Sequence, residues 1–178
     1  MRDNIEILEK NEEIARKFQK IEENLPSFLN VKDLFEKLII QIQEEFNIPF
    51  VWISIINERD LSSLVQALKS SQLLKDRLNI IDRSAFLNIL TNGTKPVLAN
   101  NYLKSFYKLQ PLKKKYFIKS LAVAPITLNN EIIGSINHGD SSNHRYQPGM
   151  DTTLLEKLVS NISVHLSDIM TDPRQKTT

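Results

Sequence analysis

SLAVAPITLNNEIIGSINHGD, Ser120 to Asp140, decides how the rest of the chain is read. Two alternating apolar runs flank an Asn-Asn pair. A two-residue hairpin loop favours a type I′ turn, whose positive φ angles Asn tolerates well, so Asn129 and Asn130 are the predicted turn. Counting back in twos then sets Leu128 opposite Glu131, Ile126 opposite Ile133, Ala124 opposite Ser135, Ala122 opposite Asn137 and Ser120 opposite Gly139. In that register one face is small and polar. The other is bulkier, with Val123 opposite Ile136 and Leu121 opposite His138. The two faces of the hairpin must therefore meet different neighbours.

Outward from the hairpin, FVWISII (50–56) is β-rich and apolar on both alternating sides, as expected of a central strand covered twice. Phe50, Trp52, Ser54 and Ile56 share one side. Before it, Asn30 is placed to cap a helix with Asp33 three residues on, and Val31, Leu34, Phe35, Leu38, Ile42 and Phe46 form its apolar face. Residues 4–28 repeat every seven, with Asn4, Asn11, Phe18 and Leu25 at one seam position and Ile7, Ile14, Ile21 and Phe28 at the other. Two readings of that seam stand: a short coiled coil between two copies, or an amphipathic helix docked on its own domain, with Leu8 and Ala15 widening the stripe. Pro26 ends or kinks this helix.

The stretch 59–90 reads as helical, with leucines grouped around Leu61 to Leu68, Leu73 to Leu78 and Phe86 to Leu90. PVLA (96–99) is a short strand whose proline suits an edge or a strand start. The segment 102–116 mixes Tyr102, Phe106 and Tyr107 with Lys113, Lys114 and Lys115, lacks a clear period, and reads as a loop with a helical turn, able to cover a site. Past the hairpin, Pro148 is the expected first residue of a last helix, with Thr153 and Glu156 as an alternative cap. Leu155, Leu158, Ile162, Leu166 and Ile169 supply that helix with an apolar stripe able to pack on the first helix.

Composition narrows the function. The chain is 178 residues long, about one domain's worth, and its net charge of +2 gives no ground for nucleic acid as the main partner. Three adjacent lysines are an ordinary solvated surface. With no cysteine, thiol catalysis, thiolate metal sites and disulfides are excluded. There is no signal-peptide pattern and no apolar run of membrane-spanning length, so the expectation is a cytoplasmic protein with no membrane partner.

Taken together, EEFNIPFVWISII, PVLANNYLKSFY, the 120–140 hairpin and RYQPGMDTTLLEKL resemble a GAF domain, and within that group the bacterial single-GAF family of unknown function. The resemblance spans most of the chain. It implies an α+β fold in which a mostly antiparallel sheet lies between terminal helices on one face and connecting helices and loops on the other. The expected organisation is an N-terminal amphipathic or dimerisation helix at 1–28, a GAF-like domain including the C-terminal helix at 29–172 and a frayed tail at 173–178. The resemblance also implies a ligand pocket on the face away from the terminal helices. Bilin attachment and free methionine sulfoxide reduction in GAF domains both use cysteine, and neither activity survives here. No counterpart of the Asn-Lys-Phe-Asp-Glu type motif of cyclic-nucleotide GAF domains is present. The histidines His138, His144 and His165 are not paired as haem or metal ligands, so neither a cofactor nor a metal is expected.

The candidate pocket comprises Ser120, Ala122, Ala124, Ser135 and Asn137 on the small face, Trp52 and Ser54 beside them, and Tyr102, Phe106 and Tyr107 from the covering segment. Asp140 and Arg145 are polar candidates in the following loop, where acid–base work with His144 and Asp151 is one reading and a salt link from Arg145 to Asp151 seating the last helix is the simpler one. No catalytic residue is assigned. The leading expectation is a small-molecule-binding or signalling module, homodimeric through its terminal helices and acting on a protein effector in trans. The alternative is a homodimeric interaction scaffold with a vestigial pocket.

Overall fold

A computed structural model describes residues 1–172; the expected tail at 173–178 lies outside the described residues. Five helices and five strands make three layers. In chain order they are α1 (Arg2–Asn24), α2 (Val31–Phe46), β1 (Phe50–Ile56), α3 (Ser62–Lys69), β2 (Leu78–Ile81), α4 (Arg83–Ile89), β3 (Val97–Ala99), β4 (Ser120–Leu128), β5 (Glu131–Asp140) and α5 (Thr153–Thr171). Short 3₁₀ turns lie at Leu25–Ser27, Arg59–Leu61 and Leu103–Leu109.

The sheet order is β2-β1-β5-β4-β3, with β1 parallel to β2 and every other neighbour antiparallel. β1 is an inner strand, as its two apolar faces predict. α2 starts where the cap predicts, with Asn30 Oδ1 accepting from the Asp33 N–H at 2.8 Å, and stops at Asn47, whose φ of 50° is left-handed. At the other end of the chain Pro148 does not open α5. Thr152 stands at its N-cap position without a side-chain cap bond, its hydroxyl donating to the Glu156 carboxylate, while Asp151 accepts from the Thr153 N–H.

The stretch 59–90 departs from its helical reading: its middle is the edge strand β2. Leu78 and Ile80 fall on one face and Asn79 and Ile81 on the other, a period of two that the surrounding leucines mask.

The hairpin turn is where the asparagines put it, with Asn129 at φ 52° and Asn130 at φ 67°, and Leu128 faces Glu131. Two pairs further on the register slips. Thr127 pairs with Ile132 but Ile126 pairs with Gly134, which leaves Ile133 as the extra residue of a β-bulge. From there every pairing differs by one from the predicted register. Ala122 faces His138, Val123 faces Asn137, and Pro125 faces Ser135. The physical cause sits at Gly134, where a Cβ would stand 2.0 Å from the Ser54 carbonyl oxygen; the neighbouring strand runs too close for a side chain.

One sheet face therefore carries Val51, Ile53, Ala122, Ala124, Ile136 and His138 beneath α2 and α5. The opposite face carries Trp52, Ser54, Asn79, Val123, Ser135 and Asn137 beneath α4 and the segment 103–118.

The docked reading of the α1 seam holds for part of the helix. Its C-terminal half is docked on its own domain, with Ile21 buried, Phe18 packed 4.6 Å from Phe46, and Lys20 paired to Glu45 of α2 at 2.5 Å. Residues 1–14 are exposed throughout, including Ile5, Ile7 and Leu8, each more than half accessible.

Candidate functional site

The bulge divides the candidate pocket between the two faces of the sheet. Ser120, Ala122 and Ala124 are fully buried on the α5 side and line no pocket under the covering segment. Ser120 instead donates to the Ser142 carbonyl at 2.6 Å and so ties down the loop after β5. Trp52, Ser54, Ser135 and Asn137 do share a face, all fully buried.

On that face the polar groups form one chain of hydrogen bonds. Ser135 Oγ donates to Asn137 Oδ1 at 2.7 Å, and Asn137 Nδ2 donates to Ser54 Oγ at 3.0 Å. Ser54 Oγ then donates to the Leu109 carbonyl at 3.2 Å, and Trp52 Nε1 donates to the same oxygen at 2.7 Å. Next to it, Asn79 Nδ2 donates to the Gln110 carbonyl at 3.3 Å, while Asn79 Oδ1 is buried without a partner. Buried polar groups need such closure, since each one left open costs about 1–3 kcal/mol.

The residues 103–118 thus act as a plug. Gln110 staples the segment to itself, accepting from the Tyr116 N–H at 2.9 Å and donating to the Tyr116 carbonyl at 3.3 Å. The Tyr116 ring stacks on Phe50 at 4.8 Å and meets Trp52 at 5.3 Å, and burial raises its phenol pKa. Beneath this plug the space bordered by Trp52, Phe106, Tyr107 and Leu121 is about 10 Å³, too small for a ligand. Tyr102 is 86 % accessible and takes no part. Asn79, Gln110, Tyr116 and the Leu109 carbonyl were not among the predicted site residues. Asn79 could have been found by its polar place in the alternation LNII; the role of a backbone carbonyl leaves no side-chain signal.

Asp140 and Arg145 are brought together, at 3.1 Å, in a structural role. The Arg145 guanidinium also donates to the carbonyls of Phe46 and Asn47, satisfying the end of α2. Asp151 bonds Thr153 rather than Arg145, and His144 is exposed. Arg145 also borders a cleft of about 680 Å³ on the helical side of the sheet, between α1, the end of α2 and the start of α5. His138 lies in its wall. Desolvation, and then the nearby Arg145 charge, lower the His138 pKa to about 4.

Among the described residues no cluster of three or more His, Asp or Glu side chains is arranged to hold a metal ion, and no helix is long and apolar enough to cross a membrane.

No protein-family model and no curated protein matches the sequence. Solved structures do match the fold. The GAF domain of the Acinetobacter phosphoenolpyruvate-protein phosphotransferase superposes with a TM-score of 0.60 at 11 % identity, over 88 % of this chain and 94 % of that one. The A. aeolicus nlh2 GAF domain in an inactive state matches at a TM-score of 0.43 and 13 % identity, over 90 % of this chain and 96 % of that one. A five-stranded sheet with helices on both faces, a covering segment over the polar side and a match to a GAF structure along nearly its whole length lead to one conclusion: the chain has the fold of a GAF domain.

Proposed function

We propose that this chain is a small-molecule-binding signalling module, resting in a closed state in which its own Leu109 carbonyl stands where a ligand oxygen would bind. The carrying observation is the buried row Ser135–Asn137–Ser54–Trp52, whose hydrogen-bond chain ends on that one carbonyl. Apolar side chains would fill a purely structural sheet face at less desolvation cost. A ligand presenting an oxygen acceptor can replace Leu109 at Trp52 and Ser54, and a donor group can satisfy Asn79 Oδ1. Signalling then proceeds in trans, through a homodimer of the terminal helices. That dimer is supported by the apolar stripe of α1, because a helical overhang of thirteen exposed residues is marginal in water without a partner.

Screening metabolites by melting temperature together with Trp52 emission tests the ligand. A binder at this face raises the first and shifts the second. If no compound moves either, while light scattering reports a dimer, the chain is a homodimeric scaffold with a vestigial pocket, a reading favoured by the closed row from Ser135 to Trp52. The dimer itself is tested with Ile7→Lys and Leu8→Lys together. Both side chains lie outside the domain core, so light scattering should report folded monomers; a persisting dimer rejects the α1 interface.

A further inference from the structure

The cleft on the helical side is separate from the site beneath the 103–118 plug. The sheet lies between the two. Its walls are Phe18 of α1, Phe46 and Ile48 at the end of α2, Leu98 of β3 and Leu155 of α5, with His138 of β5 among them. Its volume, about 680 Å³, lies inside the range of ~300–1,000 Å³ usual for small-molecule sites, and so does its make-up of apolar walls with a few polar groups.

Two features give the cleft chemistry. His138 is 4 % accessible and its Nε2 has no hydrogen-bond partner, an arrangement that is costly in a packed interior. Two cations also border the cleft: the Arg145 charge disfavours a proton on His138, and the Lys17 ammonium stands on the α1 side, each with one carboxylate neighbour, Asp140 and Glu13. The acidic groups are turned to other work. Asp140 is held by Arg145, Asp151 Oδ1 by the Thr153 N–H and hydroxyl, and Glu13 lies beside Lys17 at 3.5 Å.

We propose that this cleft binds a small carboxylate with a flat or short-chain apolar body, the body between Phe18, Phe46 and Leu155 and the carboxylate toward His138 and Arg145. A neutral imidazole donates one hydrogen bond to such an acceptor, and the neighbouring cations favour its charge. Because Ile14 and Phe18 of α1 form one wall, occupancy fixes the angle at which the exposed half of α1 leaves the domain.

Phenylacetate and octanoate, with 1-octanol as a body lacking the carboxylate, test the proposal on the full chain at millimolar concentration. The readouts are melting temperature, the His138 imidazole signals in NMR, and Trp52 emission. The carboxylates are expected to raise the melting temperature and shift the His138 signals while leaving Trp52 emission unchanged, and to bind at least tenfold more tightly than octanol. His138→Phe should weaken binding at least tenfold, and Leu154→Trp, which fills the cleft from the half-buried side of α5, should abolish it. The proposal fails if no carboxylate binds, or if both variants bind as the wild type does. It also fails if binding appears only in the Ile7→Lys, Leu8→Lys protein, since the cleft is then covered by a second copy. A probe that moves Trp52 emission and not His138 lies under the plug, which overturns this site and supports the function proposed above.

Discussion

The two faces of the sheet handle polarity in opposite ways. Under the 103–118 plug, four buried polar side chains are joined into one network ending on a backbone oxygen, and the space between Trp52 and Phe106 is about 10 Å³, with Asn79 Oδ1 unpartnered at the edge of the network. Under the helices, a single buried histidine has an unpartnered nitrogen beside about 680 Å³ of open cleft. A closed network resists both water and ligand until the plug lifts, whereas a buried imidazole in the wall of an open cleft needs only a local side-chain shift to meet an occupant. Closure and vacancy are thus properties of separate sites, and substitutions on either face can be judged against that contrast.

The largest effect is expected where the faces are assigned. Gly134 fixes the bulge, and Gly134→Ala drives a Cβ into the Ser54 carbonyl, so urea unfolding should show a loss of roughly 3 kcal/mol or more. A near-neutral result would mean that β1 and β5 are spaced more widely than the bulge requires.

His138 comes next. Its pKa is depressed in the folded chain to about 4 from an ordinary 6.5, so the unfolded chain binds the extra proton between those values. Stability due to the neutral imidazole is complete above pH 6.5 and is lost as pH falls toward 4, in all about 3 kcal/mol by linkage. Urea midpoints measured from pH 7 to 4.5 should fall for the wild type and fall distinctly less for His138→Phe. Parallel curves would remove His138 as the cause.

The sharpest contrast within one face is between Ala122 and Leu98, directly opposite each other on β4 and β3. Ala122 is fully buried against the α5 side, and Ala122→Leu should cost about 1–3 kcal/mol by overpacking. Leu98 borders the cleft, so Leu98→Phe should change stability by no more than about 0.5 kcal/mol. Equal costs would mean that the cleft is as densely packed as the core.

These expectations also mark what could be read from the sequence. The turn at Asn129 and Asn130, the Asn30 cap and the inner position of β1 were legible because each rests on local chemistry: positive φ, a side-chain acceptor, and apolar residues on both faces. Register beyond the turn was not, because a period of two continues unchanged across a bulge while the faces exchange. Gly134 was the available signal, an isolated glycine inside a strand, and its meaning depends on how near β1 runs. This one slip moved Ser120, Ala122 and Ala124 to the helical face and left Ser135 and Asn137 with Trp52 and Ser54. β2 was hidden for a different reason, since its four residues sit between leucine groups with helical spacing. The plug was legible as a covering segment, but its decisive atom is the backbone oxygen of Leu109, which the identity of the side chain does not disclose.

The closed state under the plug has one direct reporter, the Trp52 indole N–H, buried and donating to Leu109 at 2.7 Å. Hydrogen exchange of that single proton, followed by NMR in the ligand-free chain, measures how often the plug lifts. Closure requires exchange at least about a thousandfold slower than in a free indole, corresponding to an opening free energy of about 4 kcal/mol. Exchange at the rate of an exposed indole would mean that the Leu109 carbonyl does not close this face.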